Sequence, residues 1–163
     1  MDINPDTKDW TWVLDRPCPE CGFVADTAAR EDLGRLVREN AHGWQEVMGG
    51  AAPATLTRRS RVDRWSVLEY ACHVRDVHRV FEERLALMLG QDDPVFANWD
   101  QDETAVADRY AEQDPAVVLP DLVTAAESVA AAYDGVTGDQ WARPGRRSNG
   151  SVFTVESMGR YHL

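Results

Sequence analysis

The chain has 163 residues, 44% of them hydrophobic and six of them Trp, enough for one domain with a sizeable core. A net charge of −11 argues against nucleic acid as the main partner, because that recognition rests on releasing counterions at a basic surface. No apolar run approaches the roughly 20 residues of a membrane span, and the N-terminus has no basic start followed by an apolar stretch, so no membrane is expected and the chain reads as cytoplasmic.

In chain order, residues 1–27 read as an irregular arm and residues 28–163 as the bundle of the same single domain. Pro5, Pro17, Pro19 and Gly22 break any period in the arm, while Trp10, Trp12, Val13, Leu14 and Phe23 give it something to bury. A first helix is expected from Asp26 or Thr27 to Met48, stopped by Gly49-Gly50, with Leu33, Leu36, Val37, Asn40, Ala41 and Trp44 as its stripe. A connection rich in Gly, Ala, Pro and Arg follows. The longest helical pattern then runs from Arg64 to Leu89 with no Pro or Gly inside it, capped by Asp63 or Ser66. At about 100° per residue, His73 falls on the flank of its apolar face and His78 inside it.

An acidic loop carrying Phe96 and Trp99 leads to a short helix over about 103–112. A third long helix is expected from Pro115 to Tyr133, with Asp114 as cap and Gly135 beyond its end; Pro120 allows a start as late as Leu119. Arg143 to Gly150 reads as a turn and Ser151 to Phe153 as a short extended piece. Thr154 to Glu156 opens a last helix with Val155, Met158, Gly159 and His162 along one side. That helix has about ten residues, or about 15 Å, against about 39 Å for Arg64–Leu89. So short a fourth helix leaves its neighbours' apolar faces uncovered, and either a partner chain, as in a homodimer, covers them, or the sequence stops before the natural domain does.

Chemistry concentrates in two places. Cys18-Pro19-Glu20-Cys21-Gly22 offers two thiolates at the spacing of half a tetrahedral zinc site. No second CxxC or HxxxH supplies the other half, so an ion there would recruit Cys72, a histidine or a second molecule; redox-active and inert thiols are the other readings. Three cysteines, an odd number, argue against a disulfide framework. His73 is the second place, read either as a metal ligand or as a hydrogen-bonded structural residue. Asp76 either fixes its tautomer or pairs in solvent with Arg75 or Arg79. His78 reads as core and His42 as a last-turn cation. Arg146-Arg147 reads as a solvated turn, with an anion site as the other reading. No phosphate loop, dinucleotide fingerprint, nucleophile elbow or HExxH is present.

Trp65-Ser66 followed by Glu69-Tyr70-Ala71-Cys72-His73-Val74-Arg75-Asp76, with Arg84 beyond, resembles the second helix of DinB-like proteins. These are four-helix-bundle metalloenzymes of the DinB/YfiT superfamily, related to mycothiol-dependent maleylpyruvate isomerase and to thiol S-transferases. Asp15-Arg16-Pro17-Cys18-Pro19-Glu20-Cys21-Gly22-Phe23, Phe96-Ala97-Asn98-Trp99-Asp100 and Gly138-Asp139-Gln140-Trp141-Ala142-Arg143-Pro144-Gly145 resemble an actinobacterial branch of that family. The resemblance implies an all-α four-helix bundle with the arm added and the fourth helix shortened. It implies that His73 is a ligand of a divalent metal, zinc or nickel, with a low-molecular-weight thiol as cosubstrate. The family's other two ligands form an HxxxH-type pair on the fourth helix; here that pair would lie just past Leu163, and His162 stands as a remnant or substitute.

The metal ligands expected are therefore His73, His162, Cys18 and Cys21. Cys18 and Cys21 are expected to form a site separate from that of His73, since antiparallel packing puts the start of the first helix away from His73. Two functions compete: a metal-dependent enzyme that transfers a thiol to a small electrophile or isomerises a thiol adduct, and a non-catalytic binding or stress-response bundle with a structural CxxC clip.

Overall fold

The structure, a computed structural model, describes residues 9–163, and the first eight residues of the expected arm lie outside the described residues. Six helices, α1 (Leu33–Gly49), α2 (Pro53–Leu56), α3 (Val67–Gly90), α4 (Gln101–Ala107), α5 (Pro115–Asp134) and α6 (Val155–His162), are joined by β1 (Val95–Phe96), β2 (Pro144–Arg147) and β3 (Val152–Thr154). The chain is mainly helical, with α5 packed against both α1 and α3, and α6 touching all three through Gly159 beside Leu33 and Tyr133 and His162 beside His78.

The longest helix, α3, begins where the sequence places a cap. The Ser66 hydroxyl accepts from the Glu69 N–H at 3.2 Å, and the Glu69 carboxylate accepts from the Ser66 N–H at 2.8 Å, so two of the helix's unpaired N–H groups are satisfied. At the other end the Arg143 guanidinium donates to the carbonyls of Met88 and Gln91 at 2.6 and 2.7 Å, placing a cation where the helix dipole is negative. The core of Leu68, Leu85, Met88, Leu122, Val129 and Tyr133 lies between α3 and its neighbours.

Helix α5 starts at Pro115, capped by Asp114, so Pro120 does not delay it; a proline in the first turns of a helix removes few bonds. It is also long and apolar enough to cross a membrane, with mean hydropathy 1.3, which the sequence reading did not find. Its Val118, Leu122, Ala126, Val129 and Ala130 are buried, as in the core helix of a bundle.

Two expectations need correction. Helix α1 starts at Leu33, not Asp26 or Thr27, because Ala28 and Ala29 are extended between two 3₁₀ turns. The Ala28 carbonyl accepts from Arg160 at 3.0 Å and Asp26 pairs with Arg160 at 3.3 Å, so this segment is held on α6 instead of continuing α1. The expected turn at Arg143–Gly150 contains β2, which pairs parallel with β1 and antiparallel with β3. Gly145 is required there: a Cβ would stand 2.6 Å from the Met88 side chain of α3.

Helix α6 is as short as expected, and Val155, Met158, Gly159 and His162 are its buried face. A 3₁₀ turn of the arm, Trp10–Leu14, also packs on α6, so arm and small sheet supply cover that a full fourth helix would otherwise give.

The α1–α5 crossing depends on Gly34, where a Cβ would lie 2.8 Å from the Ala130 carbonyl oxygen and closer still to Asp134. Gly34→Ala should lower stability by about 1–3 kcal/mol through overpacking. Gly43→Ala, on the same helix with nothing within 4 Å, should raise it by about 0.5–1 kcal/mol. Urea denaturation checks both, and a neutral Gly34→Ala would mean that the helices do not approach so closely.

Candidate functional site

Helix α3 carries Glu69, Arg75, Asp76, His78 and Arg84 as buried polar groups, with His73 half-buried among them. Most are fully used. Arg75 grips Asp76 through two bonds of 2.9 and 3.0 Å; Asp76 also accepts from the Tyr110 hydroxyl at 2.6 Å and from Arg79 at 3.1 Å. Although burial opposes ionisation, Arg75 and Tyr110 hold the Asp76 carboxyl below its ordinary range. Arg75 also donates to Gln113 at 2.8 Å, and Cys72 donates to the same amide oxygen at 3.5 Å. Asp76 therefore pairs with both arginines, with Arg75 inside the protein and with Arg79 at its surface, and its bonds among the described residues go to these and to Tyr110. Burial pushes the Cys72 thiol up to about 11, which makes it an inert core thiol.

His78 and His162 form a second group, bonded to each other through one nitrogen each, while Nε2 of His78 is buried with no hydrogen-bond partner among the described residues. Nδ1 of His78 and Nε2 of His162 are 2.9 Å apart, and the Tyr133 hydroxyl is 3.1 Å from Nδ1 of His162. Both ring nitrogens of His162 are thus engaged in the core, and its ring stacks on Phe81 at 4.5 Å. His78 is core, as its place in the apolar face implies.

His73 behaves differently. Its ring lies parallel to Trp99, with centroids 5.4 Å apart, and against Trp65 at 5.3 Å; its Nδ1 is buried with no hydrogen-bond partner among the described residues. Burial pushes this imidazole down to about 4, against a smaller upward pull from Asp76, so it is neutral at neutral pH.

The ring faces a cavity of about 930 Å³ between arm, α3 and the loop before α4, and Cys18, Cys21, Trp99, Arg84 and Arg147 line the same space. The arm thus brings the cysteine pair to the cavity that His73 also lines. The two extended alanines and the 3₁₀ turns carry the chain over α6 before it meets α1. The cysteine loop is tight: Cys18 N–H donates to Phe23 O and Gly22 N–H to Cys18 O, both at 2.8 Å, and Gly22 takes φ +77°. N–H groups of Cys21 and Glu20 turned on the Cys18 sulfur draw its thiol below the ordinary value, and all three cysteines are free.

Imidazole and thiol are donors that suit zinc or nickel. They do not converge: among the described residues, no three His, Cys, Asp or Glu side chains stand close enough to hold one ion. The residues present therefore do not make a complete metal centre. His73, Cys18 and Cys21 share a cavity, while His162 lies apart in the core.

The arginines were underread. Arg84 is 6% exposed, with its guanidinium 5.3 Å from the Phe81 ring and 5.0 Å from Phe96, and it donates to the Ala97 carbonyl at 3.2 Å. Burial, with Arg147 adding repulsion, pushes it down to about 10. Arg147 is buried, not solvated as the turn reading has it, because β2 turns it inward; Arg146 faces out to Asp93 at 2.7 Å. An unbroken apolar face that includes an arginine was the signal available for Arg84.

The family model of the DinB superfamily matches residues 36–161. No curated protein matches the chain. Among solved structures, YfiT from Bacillus subtilis, described as a probable metal-dependent hydrolase with an unusual four-helix bundle topology, superposes with a TM-score of 0.73. It is 18% identical, and the match covers 91% of this chain and 81% of that one, so the likeness is one of fold.

The neutral imidazoles set an acid limit on stability. Burial holds His73 and His78 at about 4 and His162 well below its ordinary value, whereas unfolded histidines take up protons near 6.5. Between these values the unfolded state binds more protons, so stability falls as pH drops from 6.5 towards 4. Asp76 and Glu69, held below their ordinary 3.8 and 4.5, are lost only at lower pH. Each histidine contributes up to about 1.4 kcal/mol per pH unit in this window. Urea unfolding from pH 6.5 to 5 should show a loss steeper than one proton explains, and a flat profile would contradict the neutral, buried cluster.

Proposed function

The chain belongs to the DinB superfamily, and from that premise we propose that it is a metal-dependent protein acting on a small molecule in the cavity, with His73 as one ligand of a zinc or nickel ion. The observation that carries this reading is the unpartnered Nδ1 of a neutral imidazole at a cavity that also holds two thiols. A buried polar atom left without a partner costs about 1–3 kcal/mol, and of the two histidines that carry one, His73 and the core His78, only His73 lines the cavity.

The finer reading is thiol chemistry, either transfer of a low-molecular-weight thiol to an electrophile or isomerisation of a thiol adduct. A bound divalent ion would supply Lewis acidity and lower the pKa of a thiol. The chain's own groups supply the rest. Trp99 stacked on His73 fixes the plane of the ring. Cys18, eased towards the thiolate, is the second nucleophile or ligand on the cavity wall. The failure of the donors to converge favours the other reading, a non-catalytic bundle in which Cys18 and Cys21 clip the arm.

Metal binding separates the two. Zinc and nickel titrated into chelator-treated protein should change the tryptophan emission through the His73–Trp99 stack, with elemental analysis giving the stoichiometry. His73→Ala should weaken binding by at least about tenfold, the scale on which metal-site mutations act. A wild-type chain that binds neither ion overturns the metal reading, and binding lost only in Cys18→Ser and Cys21→Ser supports the clip.

A further inference from the structure

Three buried arginines stand in this structure, and two of them have carboxylates. Arg75 has Asp76, and Arg147 has Asp9 at 3.6 Å together with Asn149 and Ser151 at 3.0 Å. Among the described residues Arg84 has no carboxylate, only the Ala97 carbonyl and the faces of two phenylalanines. The chain has 28 acidic residues, so a counterion for Arg84 was not scarce. Burying a guanidinium with no carboxylate in contact is costly, and replacing such a group by apolar side chains is often neutral or stabilising. Retention of the charge at a cavity wall calls for a use.

We propose that Arg84, with Arg147 beside it, takes the carboxylate of a small molecule whose flat apolar body lies among the cavity's aromatic rings. Both guanidiniums line the cavity, and they stand over one joined set of rings: Arg84 over Phe81, Arg147 over Tyr161 at 5.8 Å, and Phe81 against Tyr161 at 6.0 Å. That stacking holds the planes; Arg84 spends one Nη2 bond on Ala97, Arg147, whose Nε and Nη2 are taken by Asn149 and Ser151, adds its charge, and a guanidinium fork matches the two oxygens of a carboxylate. Trp99 and Phe23 on the cavity wall supply faces for an unsaturated or aromatic body. The proposal rests on the reading of this cavity as a small-molecule site and is independent of the metal.

The test uses the full chain in EDTA, titrated with benzoate, with benzamide as its neutral isostere, and with inorganic phosphate, followed by tryptophan emission and thermal shift. Benzoate should bind at least about tenfold more tightly than benzamide, a difference of about 1.4 kcal/mol. Arg84→Met, which keeps the apolar stem, should fold and lose this preference; Arg84→Lys should bind benzoate several-fold more weakly. With metal removed by EDTA, benzoate binding does not depend on an ion, so that failure of the metal reading and failure of this one are distinguishable. Equal binding of benzoate and benzamide, undiminished benzoate binding by Arg84→Met, or unfolding of both Arg84 variants would overturn the proposal. Phosphate binding tighter than that of benzoate would overturn the carboxylate assignment.

Discussion

A polar group taken out of water must find a partner, and most of this structure follows from how α3 meets that demand. An unpaired buried charge costs several kcal/mol, so each buried polar residue on the helix binds a neighbour in place. Glu69 fixes the start of the helix and draws in Arg59. Asp76, held by Arg75 and Tyr110, anchors the segment between α4 and α5 to the helix. His78 reaches His162 and thereby sets α6 on the bundle through Tyr133 of α5. These pairs specify which elements meet; the apolar contacts around them supply most of the favourable energy.

Two polar residues of the same helix line the cavity. His73 keeps an unpartnered nitrogen, and Arg84 has no carboxylate among the described residues. Structural pairing and cavity lining are thus divided between different faces of α3. Asp76 illustrates the division: it sits one turn from His73, and its two oxygens are taken by Arg75, Arg79 and Tyr110.

Helix identity was legible in the sequence because period and caps are local. Ser66 with Glu69, Asp114 with Pro115, and the buried face of Val155, Met158, Gly159 and His162 all stand as their spacing implies. The position of His73 on the flank of its helix was equally legible. What failed depended on distant partners. Nothing near Ala28 announces that its carbonyl meets Arg160, so α1 was begun too early. Arg147 was taken for a turn residue because the pairing of β2 with β1, which lies some fifty residues earlier, turns it inward. The cysteine arm could not be placed from chain reach alone, since its route over α6 is fixed by contacts with the last helix.

Charge at two length scales then constrains what the cavity can take. At a net charge of −11 the chain repels small anions at long range, although physiological salt screens this beyond about 8 Å. Asp100, Asp102 and Glu103 on the cavity lining carry the same sign, so electrostatic steering does not assist an anion on its way in. Attraction begins only where a ligand comes within hydrogen-bond reach of Arg84 and Arg147, inside a low-dielectric ring of phenylalanine and tyrosine that strengthens it. A bare inorganic anion gains little from such a place, since it gives up its hydration for two guanidiniums and nothing else. A molecule that also buries an apolar body against Trp99 and Phe23 adds about 25 cal/mol for each Å² removed from water, and that term carries it past the acidic lining.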